Sequence, residues 1–255
     1  MLTCFPSAVI ANGAVRPGTS ARPSGRGSVN LAFSDNGQIL LDNPASMVWM
    51  NDGHGRQARG MFDIGGELLL SDLDYADGDN PFGATSSNNP LPVGSAAIMQ
   101  RVHPDVMVGI GVFAPAGFST KWRMDGPAAI PGGQVYQALG GLVRAFPAAG
   151  IRLTPRLSIG GGLGVAASHV ELEGPYFLQA PGPLQGTPLI LDTQGTGTDL
   201  HANLGVSYQL TSRLRMGFSW VNRTEFDLSG HTNIDVAGIG RTRLESELAV
   251  KWPST

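Results

Sequence analysis

The sequence predicts an all-β protein, a transmembrane antiparallel up-and-down β-barrel. Three observations predict it: segments with strictly alternating apolar and polar residues, connections that alternate between short and long, and a composition rich in glycine and proline. The chain of 255 residues contains 36 Gly and 18 Pro, and only 15% of its residues are charged. Alternation with a period of two indicates strands with one face in an apolar environment, because successive side chains point to opposite faces. The chain has no run of about 18 uninterrupted apolar residues, so strands rather than helices would have to cross a membrane.

Composition argues against several other classes of protein. The formal net charge of -3 gives no general attraction to nucleic acid or anionic lipid. The single cysteine, Cys4, allows neither an internal disulfide nor a thiolate metal cluster. The five histidines are scattered without ligand spacing, so no metal site is predicted. The chain lacks a nucleophile elbow and a dinucleotide-binding glycine fingerprint, so neither an enzyme nor a cofactor is predicted.

The alternation is cleanest between Asp199 and Leu210, where every even position is apolar and every odd position is polar or small. The segment from Arg213 to Trp220 is nearly as regular. Two further strands are needed to complete the pairing, near Ala96–Val102 and Leu139–Leu153. The other segments with this pattern are Met61–Ser71, Asp105–Phe113, Leu157–Ser168 and Arg241–Trp252.

The predicted connections fall into two classes that alternate along the chain. Short polar turns are expected around Pro104, Pro155 and Ser212. Bacterial outer-membrane barrels have such short periplasmic turns together with longer external loops. In this interpretation the apolar face of each strand meets lipid and the polar face lines the lumen. Alternation alone leaves open a soluble β-sandwich, in which the apolar face would be the core. The long loops are expected at Asp72–Ser95, Ala114–Gln137, Glu171–Thr198 and Thr224–Gly240.

Between Ser24 and Met47 the sequence SGRGSVNLAFSDNGQILLDNPASM resembles the N-terminal hatch of the long-chain fatty-acid transporter family, FadL and the related TodX-type aromatic hydrocarbon channels. Asn43-Pro44-Ala45 matches the signature triplet of that family. Further similar segments follow in the same order and cover most of the chain. They are DVMVGIGVFAPAGFSTKW from Asp105, RAFPAAGIRLTPRLSIGGGLG from Arg144 and LGVSYQLTSRLRMGFSW from Leu204.

The resemblance implies a location in the outer membrane of a Gram-negative bacterium and a barrel of fourteen strands with the hatch inside. About eight strands are predicted here, so the carboxyl half of such a barrel is expected to be missing. Residues 1–59 are interpreted as the N-terminal segment and hatch, and residues 60–255 as the first part of the barrel. The start lacks the basic region and the long apolar stretch of a signal peptide. An open, curved half-barrel with Met1–Arg59 against its concave face is expected for the chain alone.

The resemblance further implies passive uptake of long-chain fatty acids or other hydrophobic compounds by a monomer in contact with outer-membrane lipid and lipopolysaccharide. Pro115 cannot donate a hydrogen bond to a strand neighbour, so Phe113-Ala114-Pro115 predicts a kink or break in the wall. In the family this kink, with Gly117 behind it, lies against the hatch triplet and opens laterally toward the bilayer. The alternative is that a strand simply ends there.

Ligand contacts are expected at two further places. The apolar residues of the loop after Glu171 predict an outer capture groove, although self-packing of a long loop explains them equally well. Three inward arginines are candidates for binding a carboxylate, with structural ion pairing as the alternative, and Gly160, Gly162 and Gly164 would leave room for hatch or ligand. The groove residues are Tyr176, Phe177, Leu178, Leu189 and Ile190, and the arginines are Arg144, Arg152 and Arg215.

Two other functions stay open at this point. One is a structural or adhesive outer-membrane barrel that transports nothing. The other is a soluble β-sandwich that acts as a binding module.

Overall fold

The structure is a computed structural model. It describes residues 20–252 except 71–72, 77, 79–82, 88–89, 127–128, 131, 180–184 and 237–239. Cys4 and the rest of residues 1–19 lie outside the described part. The helices are α1 (Ala21–Gly25), α2 (Ile39–Asp42) and a 3-10 helix at Pro44–Trp49. The strands are β1 (Gly60–Leu69), β2 (Asp74–Tyr75), β3 (Ala84–Thr85), β4 (Leu91–His103), β5 (Val106–Asp125), β6 (Gly133–Arg152), β7 (Leu157–Phe177), β8 (Pro188–Gln209), β9 (Arg215–Val221), β10 (Thr224–Val236) and β11 (Gly240–Trp252).

Nine of these strands form one antiparallel sheet in the order β1-β4-β5-β6-β7-β8-β10-β11, with β9 also pairing with β8. The short strands β2 and β3 pair only with each other. Because strands adjacent in the chain are also adjacent in the sheet, the prediction of an antiparallel up-and-down arrangement is confirmed. The described helices include none with the length and apolar character needed to cross a bilayer.

Strands β9 and β10 together occupy the position next to β8 in the sheet. β9 pairs with one half of β8 and β10 pairs with the other half. Between the two, the Asn222 side chain donates to the Leu200 carbonyl at 2.8 Å and accepts from the Ala202 amide at 2.7 Å. The side-chain amide therefore substitutes for a backbone peptide where the strand bends.

The short turns are found where they were predicted, but three of the predicted long loops are wrong over most of their length. β5 continues to Asp125, β7 continues to Phe177, and β8 already begins at Pro188. β10 occupies most of the loop that was predicted after Thr224. These extensions are rich in Gly, Thr and Pro, so their hydrophobic alternation is weak. Cross-strand hydrogen bonds nevertheless continue through them, as in the unbroken β7–β8 register up to Phe177 opposite Pro188.

The exposed and buried faces of the sheet are reversed relative to a soluble sandwich. On β8, Leu204 is 58% exposed, whereas His201 and Asn203 on the other face are at most 1% exposed. The same reversal recurs on β9, where Phe218 is exposed and Gly217 faces inward against the N-terminal segment. An apolar outside around a polar inside is the arrangement of a membrane barrel, so the soluble sandwich is excluded.

Residues 20–59, here called the N-terminal segment, fill the inside of the sheet at the end that carries the short turns. Their side chains form the turn-side apolar cluster with inward residues of the wall. The sheet must curve around this segment, because the segment bonds both to Asp63 on β1 and to Arg215 on β9. The expected half-barrel is therefore observed, and among the described residues β1 and β11 do not pair with each other. The cluster contains Ile39, Leu40, Leu41, Met47, Val48, Met50, Ala58, Ala97, Met99, Met107, Phe113, Phe146 and Ala148.

A second cluster, the loop-side apolar cluster, lies further from the short turns. The Phe118 ring on β5 is 6.1 Å from the Trp252 ring on β11, although four strands separate these two in the sheet. The Trp252 indole also donates to the Ser168 hydroxyl on β7 at 2.9 Å. These contacts across the inside confirm the curvature of the wall. The cluster contains Ala116, Leu142, Ala166, Val170, Phe226, Leu228 and Trp252.

Candidate functional site

The Asn43-Pro44-Ala45 triplet is fully embedded in the inner face of the wall. The Asn43 amide nitrogen donates to the Leu31 carbonyl at 2.8 Å and to the Val206 carbonyl of β8 at 3.1 Å. Its oxygen accepts from the Ala45 amide and caps the 3-10 helix, which Pro44 begins. Asn43 therefore links the N-terminal segment to itself and to the wall.

Glycines of four adjacent strands provide the space for this triplet. A Cβ atom at Gly160 would lie 2.5 Å from the Ala45 nitrogen, and one at Gly150 would lie 2.5 Å from the Pro44 carbonyl oxygen. A Cβ atom at Gly205 would lie 2.0 Å from the Asn43 side-chain oxygen, and one at Gly217 would lie 2.4 Å from the Leu31 carbonyl oxygen. At Gly150, Gly160 and Gly217 a Cβ would collide with backbone atoms of the segment, so only glycine allows the segment to approach so closely there.

The three glycines singled out in the sequence thus have two different roles. Gly160 accommodates the N-terminal segment, which is one of its two predicted roles, the other being to leave room for a ligand. Gly162 instead accommodates the Phe146 ring of the neighbouring strand, and Gly164 lies against the Ala145 carbonyl and the Cβ of Phe146.

Two of the three predicted lumen arginines hold the N-terminal segment rather than facing open space. The Arg152 and Arg215 guanidinium carbons lie 4.5 Å and 5.0 Å from the Trp49 ring centre, which gives cation–π contacts. Arg152 also donates to the Val48 carbonyl at 3.0 Å, and Arg215 donates to the Ser34 hydroxyl at 3.1 Å. These contacts support the structural alternative for both residues.

Sequence reasoning missed further residues that hold the segment. Arg101 donates to the Ala58 and Val48 carbonyls, and Asn203 donates to the Leu40 carbonyl at 3.0 Å. Ser158 joins the Trp49 indole, 2.8 Å away, to the Ala45 carbonyl, 2.7 Å away. The alternating sequence pattern could have identified these residues, because a polar residue on the inward face of a barrel strand needs a hydrogen-bond partner inside the barrel.

The N-terminal segment contains a carboxylate in an unusual environment. Asp42 accepts from the Asn30 amide at 2.6 Å and from the Gln38 amide at 3.3 Å, and Asn30 is itself paired with buried Asn36. Burial raises the pKa of Asp42 to about 6, although both amide hydrogen bonds oppose the shift. By contrast, the hydrogen bond from Arg26 lowers the pKa of Asp35.

Docking of the N-terminal segment is expected to depend on the charge of Asp42. A pKa raised from 3.8 to about 6 means that the docked state binds a proton more tightly than the undocked state. The stabilising contribution is therefore complete below about pH 4 and is lost as the pH rises through about 6. Asp42→Asn should remove this dependence and strengthen docking at neutral pH. Hydrogen exchange of residues 30–46 in the full-length protein measures the effect, and an unchanged pH profile in the variant contradicts it.

The wall is interrupted beside Phe113. β5 pairs with β4 only as far as Phe113 opposite Ser95. On the other side, its register with β6 shifts between Phe113 and Ala116, so Ala114 and Pro115 together oppose Val143. Two residues against one make a β-bulge, which bends the strand. The alternative that a strand ends here is wrong, because β5 continues.

A cavity of about 270 Å³ lies in this gap between β4 and β5. Its lining combines both faces of the wall: Leu70 is 70% exposed on the outside, whereas Phe118 packs against the loop-side cluster inside. Residues from both faces of the wall therefore line this cavity. The lining residues are Leu69, Leu70, Leu73, Leu91, Gly117, Phe118, Ser119 and Thr120.

The structure does not bring the Asn43-Pro44-Ala45 triplet next to the kink. The triplet lies at Gly150, which pairs with Met107 on β5. Met107 is six residues before Phe113, or about 20 Å along a strand. The expected apposition is therefore wrong for the triplet itself, and Leu40 of the same segment shares the turn-side cluster with Phe113 instead.

The predicted capture loop is largely a β-hairpin, which divides its apolar residues between two faces. Tyr176 is opposite Leu189 on one face of the β7–β8 pair, and Phe177 and Ile190 alternate with them onto the other. Leu178 follows the end of β7 and bonds to Thr187. A single groove formed by all five residues is therefore wrong, because neighbours in a strand point in opposite directions.

An apolar outer face around an inside filled by the protein's own N-terminal segment is the arrangement of an outer-membrane β-barrel. The family described as Outer membrane protein transport protein (OMPP1/FadL/TodX) matches residues 2–250. The chain belongs to this family, whose members are Gram-negative outer-membrane transport proteins and not enzymes.

Solved structures show the same fold. A FadL homologue of Pseudomonas aeruginosa is 13% identical with a TM-score of 0.66, and the match covers 94% of this chain and 64% of that one. The CymD monoaromatic hydrocarbon channel is 17% identical with a TM-score of 0.67, covering 93% and 63%. The Pseudomonas putida toluene transporter TodX is 14% identical with a TM-score of 0.67, covering 87% and 60%. The chain thus spans less than two thirds of the length of these structures, and no curated protein sequence matches it.

Proposed function

We propose that the chain is part of an outer-membrane channel for the passive uptake of hydrophobic compounds, which leave sideways through the gap between β4 and β5. The observation that supports the proposal is the order of the N-terminal segment and the gap along the lumen. The N-terminal segment, acting as a hatch, fills the inside up to Phe113 and Phe146 of the turn-side cluster. The gap and its cavity begin at that level.

A solute that enters from the loop side meets the loop-side apolar cluster, and Phe118, which packs against that cluster, also lines the cavity of the gap. The outside of the gap is apolar, with Leu70 exposed to the bilayer. Burying about 200 Å² of apolar surface yields about 5 kcal/mol at ~25 cal/mol per Å². Ordering of the solute offsets part of this, so binding in such a passage is weak enough for release into the membrane.

The descriptions of the similar solved structures support hydrophobic compounds as the cargo. Two of them are described as a monoaromatic hydrocarbon channel and a toluene transporter. Both cargoes are small apolar molecules, and five of the eight residues that line the cavity of this chain are Leu or Phe. Tyr176 on the outer hairpin is 44% exposed and provides a first contact for such a molecule.

Uptake by cells that carry the full-length protein tests the proposal. Pro115→Ala restores an amide donor at the bulge and should narrow the gap, so uptake of a long-chain fatty acid and of toluene should fall. Asn43→Ala removes the bonds to Leu31 and Val206 and should loosen the hatch and change uptake. Pro147→Ala is the matched control, because Pro147 lies within paired β6 and points outward. Unchanged uptake in both test variants would contradict lateral exit.

A further inference from the structure

Two of the short turns, here called the arginine turns, repeat the same five-residue pattern. The β6–β7 turn reads Leu153-Thr154-Pro155-Arg156-Leu157, and the β8–β9 turn reads Leu210-Thr211-Ser212-Arg213-Leu214. In each turn the threonine hydroxyl accepts from the arginine amide at 3.2 Å and from the following leucine amide at 3.0 Å. The first leucine amide donates to the carbonyl of the last leucine at 2.9 Å in both turns. The two turns therefore share one backbone arrangement, which presents one arginine each.

The arginine side chains of these turns differ from the other arginines beside them. Arg156 and Arg213 are exposed, and within the described chain neither guanidinium takes part in an ion pair or a hydrogen bond. Arg152 and Arg215, on the adjoining strands, instead point inward and contact the N-terminal segment. The short turn between β4 and β5 has Asp105 in the place of the arginine, and this carboxylate lies 3.7 Å from the Arg152 guanidinium. The two arginine turns thus each present a positive charge that the described residues leave unbalanced.

The two arginine turns lie side by side at the edge of the lipid-facing band. The Gln209 amide, just before the second turn, donates to the Arg156 carbonyl at 2.8 Å. The leucines that flank the arginines lie on the outward face of the wall, where Leu153, Leu210 and Leu214 are 54%, 47% and 50% exposed. Short turns of an outer-membrane barrel face the periplasm, so these leucines contact acyl chains of the inner leaflet. The arginines, at the tips of the turns, lie at the level of the phosphate groups of that leaflet.

This end of the molecule is strongly basic, although the chain as a whole has a formal net charge of -3. The connection 51–59 and the residues within three positions of a short turn include seven arginines and two aspartates, which give a charge of +5. A basic surface at a membrane boundary attracts anionic lipid, and each Lys or Arg near the surface raises the affinity about fivefold. The arginines are Arg56, Arg59, Arg101, Arg152, Arg156, Arg213 and Arg215, and the aspartates are Asp52 and Asp105.

We propose that Arg156 and Arg213 bind the phosphate groups of anionic phospholipids in the inner leaflet, so that the two arginine turns form a lipid-binding surface on the outside of the barrel. The planar fork of a guanidinium matches two oxygens of a phosphate group. The aliphatic stem of arginine can lie along the neighbouring leucines while its charge reaches the head group. A zwitterionic lipid carries its own cation next to the phosphate, which competes with the arginines, so a lipid with a net negative charge is preferred.

Native mass spectrometry of the purified full-length protein in an uncharged detergent tests this proposal. The probes are dipalmitoylphosphatidylglycerol and dipalmitoylphosphatidylcholine, which have equal acyl chains and differ in net charge. The wild type should bind phosphatidylglycerol more tightly. Arg156→Gln and Arg213→Gln should each lower the affinity for phosphatidylglycerol about fivefold and leave the affinity for phosphatidylcholine unchanged.

Arg56→Gln is the matched control, because it removes one exposed positive charge from the same end of the molecule. Arg56 belongs to the N-terminal segment inside the wall, and Met50 and Ala58 on either side of it are buried in the turn-side cluster. Lipid outside the wall therefore does not reach it, and the affinity of this variant for phosphatidylglycerol should equal that of the wild type.

Binding of phosphatidylcholine also reports whether each variant is folded. Equal affinity of the wild type for both lipids overturns the proposal. So does an equal loss of phosphatidylglycerol binding in Arg56→Gln and in the turn variants, because the effect then follows the overall charge rather than the turns. Displacement of the lipid by an equal concentration of inorganic phosphate also overturns it, since the arginines would then bind a free anion without help from the leucines.

Discussion

Valine in place of Gly160 is expected to expel the Asn43-Pro44-Ala45 triplet from the wall. The Cβ alone would lie 2.5 Å from the Ala45 nitrogen and almost as close to the Ala149 carbonyl of β6. Overpacking of a core commonly costs about 1–3 kcal/mol, and here the atoms in the way are backbone, which cannot move aside like a flexible side chain. The wall strand β7 is held by ladders on both sides, so the segment should yield first.

The expected results are rapid proteolysis of the N-terminal segment in a barrel that stays folded, and a higher ion conductance in planar bilayers. Gly141→Val is the matched control, because Gly141 lies in the neighbouring wall strand β6 and a Cβ atom there would have nothing within 4 Å. If the segment of Gly160→Val stays as protected as that of the wild type, the glycine cradle does not determine docking.

Deletion of Pro115 is expected to close the gap between β4 and β5 and to reduce uptake to the level of cells without the protein. The deletion removes both the extra residue of the bulge and the position without an amide donor. Ala114 then stands alone opposite Val143, and the pairing of Ala116 with Leu142 is preserved. The side chains of β5 after the deletion therefore keep their inward or outward orientation relative to β6.

With the bulge gone, β5 can continue its ladder along β4 toward Leu91, which closes the cavity. Uptake should decrease in the order wild type, Pro115→Ala, Pro115 deletion. Gel mobility of unheated and heated samples shows whether the shortened barrel is folded. A folded deletion variant with full uptake means that the solute leaves by another path.

The regular part of this fold was readable from the sequence, and the site was readable only in part. Strands such as β8 and β9 were found because each apolar residue faces lipid and each polar one faces inward. The ends of β5, β7 and β8 were missed because glycine, threonine and proline there give no clear alternation.

Side-chain partners were harder to predict than strands. The neighbouring sequence does not distinguish Arg152, which donates to the Val48 carbonyl, from Arg144, whose Nε has no hydrogen-bond partner among the described residues. The difference arises from where the N-terminal segment lies inside the wall. The separation of the Asn43 triplet from the kink has the same origin, because it depends on the register of three strands rather than on the spacing along the chain.

The bonds that hold the N-terminal segment also determine when it can fold. Asn203 lies 163 residues after Leu40, and Arg215 lies 183 residues after Ala32. Contacts between residues so far apart in the chain form slowly, because a long loop must close first. The N-terminal segment is thus among the last parts of the described chain to reach its native position. Until β8 and β9 are in place, the inside of the wall is open, and folding ends when the N-terminal segment fills it.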